Sequence, residues 1–370
     1  MTSPSHPDTH PSQSQTQQET ILIPPSTATT FTRTLLEFHS VPPTHASIIA
    51  HCLVLADLRG VDSHGLNRLP SYLTRIRRGV LNPTATPTLT QKTPVVAQLD
   101  AHNGFGFVAA RTAMDHAITM ARDFGIGLVS VTHSNHFGMS AAFVQQAVEA
   151  DMMSLVFTNS SPALPAWGGR EKLMGVSPIA CGAPAGGKDG AVPFILDMAP
   201  SVAARGKIYK AARRGEEIPG DWALDGEGRR TTDPAEALKG VMLPMGGAKG
   251  SALAIMMDVF SGVFSGAAFA GHVTGPYDPS REGDVGHFIV AIKPDLFMGL
   301  EEFKGRMDYL YQKVVGGERM EGVERIYYPG EIELETARRR GEEGIPYVRG
   351  EIEALNREAD EVGIAHLAEI

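Results

Sequence analysis

The sequence has little cysteine, no excess of positive charge and no long uncharged apolar segment, and each shortage argues against a class of protein. Only two cysteines, Cys52 and Cys181, occur among 370 residues, which is no disulfide framework and favours a reducing compartment. Lys and Arg total 33 against 42 Asp and Glu, so the net charge of −9 disfavours nucleic-acid or membrane-surface partners. A hydrophobic fraction of 42% with 20% charged residues is typical of a globular protein.

The first residues lack the features of a targeting segment. The first Lys or Arg is Arg33, and the only early apolar run is residues 21–23, so neither a signal peptide nor a mitochondrial presequence is indicated. Residues 251–271 are apolar, but Asp258 lies within them and Gly, Ser and Ala dilute them, which favours a buried helix over a membrane span. We therefore expect a cytoplasmic protein without a membrane partner.

Composition and hydrophobic spacing divide the chain into a tail and two domains. Residues 1–26 are rich in Ser, Thr, Gln and Pro, which predicts a disordered tail. Apolar residues recur at helical spacing in residues 27–90, whereas predicted strands and helices alternate through residues 91–299. This alternation is typical of an α/β fold, here a cofactor-binding domain. We expect residues 300–370 to be helical and to pack on residues 27–90.

Within this framework, short apolar runs predict strands, and apolar residues every three or four positions predict helices. The predicted strands are 95–99, 126–131, 153–157, 192–196, 288–292 and 325–328. The predicted helices after residue 100 are 107–124, 139–150, 201–213, 251–265, 300–315 and 349–362.

A glycine pattern at residues 104–109 imitates a dinucleotide-binding fingerprint. The residues Gly-Phe-Gly-Phe-Val-Ala fit G-x-G-x-x-A ahead of a predicted helix. The fingerprint also needs an acidic residue at the end of the next strand, and that strand ends in Val131-Thr132-His133. Four residues, 100–103, also separate the first strand from the glycines. We therefore predict a glycine-rich turn and no Rossmann site.

Residues 62–68, Asp-Ser-His-Gly-Leu-Asn-Arg, group a hydroxyl, an imidazole and a guanidinium between two predicted helices. Arg68 follows His64 by four residues, so the two share one face of a short helix. Arginine can bind a carboxylate through two parallel hydrogen bonds while histidine moves a proton. From these residues alone, Ser63 as a helix cap with a surface His and Arg is an equally good interpretation.

A second histidine, His136, follows the strand predicted at 126–131, at the strand end where α/β proteins build sites. It is a candidate base, and the alternative is a helix-capping segment formed by Ser134 or Asn135. A metal site built on His64, His133 and His136 is a further hypothesis. No nearby acid completes a zinc-ligand spacing, so we expect no metal.

Two more turns occupy positions where a nucleotide could bind. Asp197-Met198-Ala199 follows an apolar strand, and Gly247-Ala248-Lys249-Gly250 opens a predicted helix. The second turn lacks the Walker spacing, but backbone amides at a helix start together with Lys249 suit a phosphate. Each turn taken alone is equally compatible with an ordinary loop.

Together these segments resemble the malate/L-lactate dehydrogenase family, which also contains sulfolactate dehydrogenases, ureidoglycolate dehydrogenases and ketimine reductases. The resemblance runs from about residue 27 to residue 331. It rests on seven motifs in order: Asp62-Ser63-His64-Gly65-x-x-Arg68, Asn135-His136-Phe137-Gly138, Thr158-Asn159-Ser160, Pro165-x-Trp167-Gly168-Gly169, Asp197-Met198-Ala199, Gly247-x-Lys249-Gly250 and Tyr328-Pro329-Gly330-Glu331. It implies a homodimer of non-Rossmann α/β subunits that use NAD or NADP and take a small carboxylate substrate.

The resemblance also implies roles for individual residues. His136 matches the proton acceptor of the family's hydroxy-acid dehydrogenases, and Arg68 matches the arginine that binds the substrate carboxylate. Ser63 and His64 match the relay and proton donor of its ketimine reductases. The nucleotide-binding positions correspond to Ser160, Asp197, Met198, Ala199 and Lys249.

One departure from the family pattern concerns the ketimine reductases. The resemblance implies an acidic residue shortly after the Asp-x-Ala triplet in those enzymes, where it supports the Ser–His pair. Lys207 stands in that stretch here, which favours the dehydrogenase branch. We therefore expect an NAD(P)-dependent oxidoreductase of a small 2-hydroxy acid, with ketimine reduction as the alternative. A metal-dependent hydrolase and a catalytically silent binding protein are the hypotheses from other classes. If a histidine is the base, the rate of hydroxy-acid oxidation should rise with pH through the ordinary histidine pKa of ~6.5.

Overall fold

The computed structural model describes residues 20–369, so residues 1–19 of the predicted tail lie outside the described part. Its helices are α1 (Pro25–Phe38), α2 (Pro43–Leu58), α3 (Leu69–Arg77), α4 (Gly106–Phe124), α5 (Ala141–Glu149), α6 (Arg205–Arg214), α7 (Pro234–Lys239), α8 (Ala248–Asp258), α9 (Leu300–Val315), α10 (Glu331–Glu343) and α11 (Arg349–Val362). Its strands are β1 (Thr20–Ile23), β2 (Thr88–Thr93), β3 (Val96–Asp100), β4 (Ile126–Ser134), β5 (Met153–Thr158), β6 (Ile179–Ala183), β7 (Phe194–Met198), β8 (Ala223–Leu224), β9 (Val241–Met242), β10 (Val285–Ile292) and β11 (Ile345–Val348).

A seven-stranded mixed sheet forms the centre of the molecule, in the order β2-β3-β4-β10-β5-β6-β7. Only β3 and β4 are parallel neighbours, joined by the crossover helix α4, and the other pairs in this sheet are antiparallel. The α/β prediction is confirmed. Because a Rossmann domain needs a doubly wound, mostly parallel sheet, this topology also agrees with the non-Rossmann expectation.

The glycine-rich turn that imitates a dinucleotide fingerprint is closed by the protein itself. A Cβ at Gly106 would lie 2.0 Å from the carbonyl oxygen of Asn135, and the Asn135 side-chain amide donates to the carbonyl oxygen of Gly104 at 2.9 Å. Both glycines are buried. They therefore allow α4 to pack closely against the loop that carries His136.

The predicted tail is wrong for residues 20–26, which are ordered. Strand β1 pairs antiparallel with β11, with Thr20 opposite Val348 and Ile23 opposite Ile345, and Ile23 is only 3% exposed. Helix α1 then begins at Pro25, whose fixed backbone suits a first helical turn. Local composition missed this strand because its partner lies near the other end of the chain.

The N-terminal and C-terminal helices meet in one apolar core, where α11 contacts both α1 and α3. Helix α9 is held elsewhere, because the carboxylate of Asp308 accepts hydrogen bonds from the backbone amides of residues 186–188. The division into a helical domain and a cofactor-binding domain therefore stays a prediction.

The predicted strand at residues 325–328 is wrong, because that segment has no regular structure. The buried carboxylate of Glu331 accepts the backbone N–H of Tyr328 and the guanidinium of Arg325, which folds the segment into a turn ahead of α10. In the apolar segment 251–271, α8 ends at Asp258 and a π-helical turn, Val259–Val263, follows it. Among the described residues, none of the helices has the length and apolarity that a membrane crossing requires.

Candidate active site

The turn that connects α2 to α3 carries the predicted hydroxyl, imidazole and guanidinium. The Ser63 hydroxyl oxygen lies 3.0 Å from Nδ1 of His64, and Nε of Arg68 donates to the carbonyl oxygen of Ser63 at 2.6 Å. Two short 3-10 turns, Asp62–His64 and Leu66–Arg68, place the three side chains together. The guanidinium of Arg68 also lies over the ring of Tyr277, 4.7 Å from its centroid.

The structure places His136, in the loop between β4 and α5, next to this turn. The rings of His64 and His136 stack with their centroids 5.6 Å apart and their planes 22° apart. The Tyr72 hydroxyl lies 2.7 Å from Nδ1 of His136, and the backbone N–H of Gly138 approaches the same nitrogen at 3.3 Å. The two candidate proton-transfer residues therefore share one site with Arg68.

Both histidines are held neutral by their surroundings. Burial, reinforced by the positive charge of Arg68, lowers the pKa of His64 to about 3. Burial lowers the pKa of His136 well below its ordinary value, and the charges of Arg68, His64 and His287 act in the same direction. A neutral imidazole is the form that a base requires. The structure corrects the expected pH dependence: the rate of oxidation should rise with pH at a value below the ~6.5 that the sequence suggested.

One further side chain of helix α3, Arg75, lies next to the site and is 2% exposed. Its guanidinium donates to the side-chain oxygen of Asn135 at 3.3 Å, beside His136. It also donates to carbonyl oxygens in the segment 275–281, including that of Arg281 at 3.1 Å. Because this segment carries Tyr277, α3 fixes both the histidine loop and the aromatic ring beneath Arg68.

The turn that carries Ser63, His64 and Arg68 is fixed by Asp57, near the end of α2. Its carboxylate accepts the backbone N–H of Leu66 at 2.9 Å and the hydroxyl of Tyr347 at 2.7 Å. No side chain fits at Gly65, where a Cβ would lie 1.6 Å from a carboxylate oxygen of Asp57. Arg340 completes the attachment by donating to the backbone carbonyl of Asp57 and pairing with Asp62. The C-terminal segment thereby holds the turn in place.

We expect Asp57→Asn to remove a pH dependence of stability. Burial raises the pKa of Asp57 to about 7, although the hydrogen bonds from Leu66 and Tyr347 oppose the shift. A carboxyl whose pKa is raised on folding stabilises the protein below its unfolded pKa of ~3.8, and this contribution is lost as the pH rises through 7. The measurement is the free energy of unfolding in urea between pH 4 and 7.

Between pH 4 and 7 the free energy of unfolding of the wild type should fall by up to about 4 kcal/mol relative to that of Asp57→Asn. Exposed Asp123 on α4 supplies the control variant, Asp123→Asn, whose profile should parallel that of the wild type. Parallel profiles for wild type and Asp57→Asn would contradict a buried carboxyl that titrates near neutrality.

The three histidines of the metal-site hypothesis do not converge. Exposed His133 pairs with Asp100, with Nδ1 3.1 Å from a carboxylate oxygen. Residues 20–369 contain no group of three or more His, Cys, Asp and Glu side chains that could hold a metal ion. The metal-dependent hydrolase therefore loses the ligand set on which it was based.

The predicted cofactor residues fall around the ends of β5, β7 and the start of α8. The Ser160 hydroxyl is buried without a hydrogen-bond partner in the described structure, and a Cβ at Gly175 would lie 2.1 Å from it. Exposed Lys249 lies in the first turn of α8, beside Gly247, where a Cβ would lie 2.9 Å from the ring of Trp167. An unpartnered hydroxyl, a glycine cradle and a cation at a helix start fit a nucleotide.

The triplet 197–199 lies next to this turn, since the backbone N–H of Met245 donates to the carbonyl oxygen of Pro200 at 2.9 Å. The carboxylate of Asp197 is engaged elsewhere, because it accepts the backbone N–H of Ala141 at 2.8 Å, at the start of α5. Burial raises the pKa of Asp197 to about 6, and the charge of Arg59 opposes that shift. Met198 and Ala199 remain partly exposed.

Sequence reasoning missed Tyr72, Arg75 and Asp57. Tyr72 follows Arg68 by four residues and Arg75 follows it by seven, so both lie on the same face of α3 as Arg68. That spacing was a usable signal for Tyr72. No local signal identified Asp57, whose partners are Leu66 and Tyr347.

Comparison with known proteins connects this site to one family. The model of that family, described as malate/L-lactate dehydrogenase, matches residues 23–356. L-sulfolactate dehydrogenase of Methanocaldococcus jannaschii is 39% identical over 83% of this chain and 87% of its own length. Ureidoglycolate dehydrogenase (NAD(+)) of Escherichia coli K12 is 36% identical over 82% of this chain and 86% of its own length.

The fold is also similar to those of solved enzyme structures. The sulfolactate dehydrogenase from M. jannaschii has a TM-score of 0.88 at 36% identity, covering 94% of this chain and 99% of its own. The delta1-piperideine-2-carboxylate reductase from Pseudomonas syringae has a TM-score of 0.82 at 28% identity, covering 92% of this chain and 100% of its own.

Proposed function

Since the chain belongs to the malate/L-lactate dehydrogenase family, we propose that it oxidises a small 2-hydroxy acid to the 2-keto acid with NAD or NADP. The observation that carries this proposal is the convergence of Arg68, His64 and His136 in one site, with both imidazoles neutral. A carboxylate-binding cation beside a neutral base is what a 2-hydroxy acid requires.

In this proposal Arg68 binds and orients the substrate carboxylate. Its Nε is held by the carbonyl oxygen of Ser63, and its face is held by Tyr277. The two terminal nitrogens make no hydrogen bond to another of the residues 20–369, so they can form the paired hydrogen bonds that a carboxylate accepts.

His136 accepts the hydroxyl proton. The substrate proton goes to Nε2 in the tautomer that carries its own proton on Nδ1. In that tautomer Nδ1 donates to the Tyr72 hydroxyl oxygen, 2.7 Å away, and the backbone N–H of Gly138 gives up its bond to Nδ1. The Tyr72 contact thus fixes the ring. Bound NAD or NADP supplies the hydride acceptor. The stacked His64, with Ser63 at its Nδ1, lies where it can hydrogen-bond the substrate oxygen.

Ser160, Lys249 and the triplet 197–199 are the proposed cofactor-binding positions. The unpartnered Ser160 hydroxyl and the Lys249 cation support this assignment. Because the Asp197 carboxylate is committed to α5, the triplet would contribute its backbone together with Met198 and Ala199.

We expect Lys249→Ala to weaken NADH or NADPH binding by about 10-fold, since it removes a cation from the start of α8. Titration by cofactor fluorescence gives the Kd. Lys92→Ala, at an exposed position of the outer strand β2, is the control and should bind as the wild type does. Equal Kd values for Lys249→Ala and wild type would remove Lys249 from the site.

The function is tested with a panel of substrates, and the reaction is measured by the absorbance of the reduced cofactor. L-malate, 3-sulfolactate and L-lactate are each tested with NAD and with NADP, with and without a metal chelator. Chelator-insensitive reduction of cofactor supports the proposal, and its absence with all three acids overturns it.

Ketimine reduction is the second candidate, favoured by the 3.0 Å contact between Ser63 and His64 and by the structural likeness to the P. syringae reductase. The exposed position of Lys207, on α6, still lacks the acid of that branch. Oxidation of NADPH by delta1-piperideine-2-carboxylate, without oxidation of the hydroxy acids, would select this candidate.

We also propose that the protein is a homodimer that forms through α8 and the π-helical turn. Apolar side chains along one side of this segment are exposed, namely Ile255 (46%), Val259 (45%), Val263 (54%) and Phe264 (58%). A contiguous apolar surface of this kind marks an interface more often than free surface. The isologous contact of two such segments would bury it.

Val263→Asp is expected to shift the protein to monomer, because it would place two charges in the centre of the dimer contact. Sedimentation equilibrium measures the mass of each variant. Phe38→Asp, at an isolated exposed position 58% accessible at the end of α1, should leave the mass unchanged. A dimeric Val263→Asp variant would contradict this interface.

The two cysteines agree with a reducing compartment. Both are free thiols, and burial raises the pKa of the Cys52 thiol to about 12, which makes it unreactive. We propose a cytoplasmic location on this basis.

A further inference from the structure

A cleft of about 480 Å³ lies beside the candidate site. Tyr277, whose ring lies beneath the guanidinium of Arg68, forms part of its wall. Ser161, the neighbour of the proposed cofactor residue Ser160, lines another part. The cleft therefore shares one wall with the surroundings of Arg68 and has another next to the proposed cofactor position.

Two arginines line this cleft without a carboxylate partner among residues 20–369. Arg205, in the first turn of α6, is half-buried with its guanidinium 5.7 Å from the ring centroid of Tyr209. Arg281 donates only to neutral oxygens, those of the Thr274 hydroxyl and the His272 carbonyl. Both guanidiniums consequently keep charge that no neighbouring anion neutralises by a direct ion pair.

The electrostatic surroundings reinforce the positive potential. Burial lowers the pKa of Lys172, and the charge of Arg205 lowers it further, which places a second cation within range of Arg205. The one acid in the lining, Asp278, accepts the backbone N–H of Ser280 at 2.9 Å, and Arg281 and Arg75 lie within range of its charge. Positive groups held together in a partly closed cleft attract an anion.

We propose that Arg205, with Arg281, forms a subsite for a second acidic group of the substrate. The preferred substrates are then 2-hydroxy acids with a carboxylate or sulfonate at the far end, and monoanionic acids such as lactate bind without this contact. This inference rests on the proposed function. The shared chemistry is recognition of an oxyanion, and a cofactor phosphate is the other source that the experiment separates.

The position of Arg281 follows from the fold. Buried Arg75 binds the carbonyl oxygens of Gly275 and Arg281 at 3.4 and 3.1 Å, so the cleft wall is fixed to α3. The same helix carries Tyr72, and Arg68 immediately precedes it. A substrate bound by Arg68 at one end would therefore meet a preorganised wall at its other end.

The experiment compares Arg205→Gln with wild type on L-malate, 3-sulfolactate and L-lactate, and measures the Kd of NADH and NADPH by fluorescence. For the two dianionic acids, kcat/KM should fall by about 10- to 100-fold, mostly through KM, because a charged hydrogen-bonding partner is lost. The value for lactate and both cofactor Kd values should change by less than about 3-fold. Arg205→Lys should restore part of the loss. Lys210→Gln, at an exposed position on the same helix, should behave as wild type.

Equal losses on all three acids, or no loss on any, would overturn the subsite and leave the proposed function standing. A selective rise in the Kd of NADPH would assign the cleft to a cofactor phosphate and also overturn it. If the wild type oxidises none of the acids, the proposed function fails, and the subsite fails with it.

Discussion

Replacing His136 by Ala is expected to lower kcat for hydroxy-acid oxidation by about 10²–10⁴-fold, because the proposed proton acceptor is lost. KM should change far less, since Arg68 is the proposed carboxylate contact. Arg68 keeps its contacts with the Ser63 carbonyl and the Tyr277 ring in this variant, so the carboxylate position stays in place. Steady-state kinetics of the purified variant provide the measurement.

The pH profile separates the base from a residue that only binds. Burial and the charge of Arg68 keep the pKa of His136 well below its ordinary value. A base works only when neutral, so the wild-type kcat/KM should fall only at acidic pH, well below ~6.5. His136→Ala should lose this limb together with the rate.

Two variants complete the comparison. His64→Ala should lose less activity and keep the limb, because its ring stacks on His136 and does not hold it. His133→Ala removes an exposed histidine that faces Asp100, and it should behave as wild type. If His64→Ala loses both rate and limb while His136→Ala keeps them, the roles are reversed and the ketimine-reductase candidate gains.

Replacing Arg68 by Lys is expected to lower kcat/KM by about 10²-fold, although the charge is retained. Lysine lacks the planar fork that forms two parallel hydrogen bonds with a carboxylate. It also loses the Nε contact with the Ser63 carbonyl and the stacking over Tyr277, which together orient the guanidinium. The loss should appear mainly in KM, measured by initial rates.

Arg78→Lys is the matched control for this change. Arg78 is exposed at the end of the same helix, so its replacement should leave kcat/KM unaltered. An Arg68→Lys variant with wild-type kcat/KM would exclude Arg68 as the carboxylate-binding residue.

The residues proposed to carry the chemistry could be selected from the sequence because they stand in short segments. Ser63, His64 and Arg68 fall within six residues, and His136 follows a strand whose presence was predictable from its apolar run. What the sequence could not show is that the two segments meet. The stacking of His64 on His136 depends on the packing of α3 beside the loop after β4.

The supporting side chains were unpredictable for a related reason. Tyr72 looks like one more apolar residue of a helical stripe until its hydroxyl is seen against His136. Arg75 finds its partners in the segment 275–281, and Asp57 finds Tyr347, both far away along the chain. Periodicity within a segment carries no information about such partners.

The same limit applies to the fold. Local patterns predicted most central strands, but not that β10 would insert antiparallel between β4 and β5. Strand β2, Thr88–Thr93, was missed because its residues are nearly all polar and exposed, as an edge strand permits. Strand β1 was missed because it is stabilised only by its pairing with β11.

We expect a site built from Arg68, His136 and His64 to take the hydroxyl proton of a 2-hydroxy acid while the hydride leaves C2 for the cofactor. The most direct test uses the best acid of the panel labelled with deuterium at C2, followed by mass spectrometry of the reduced cofactor. The reduced cofactor should carry one deuterium for each keto acid formed. Hydride transfer from C2 would be contradicted if keto acid formed without deuterium in the reduced cofactor. It would also be contradicted if the cofactor were reduced while the acid kept its deuterium.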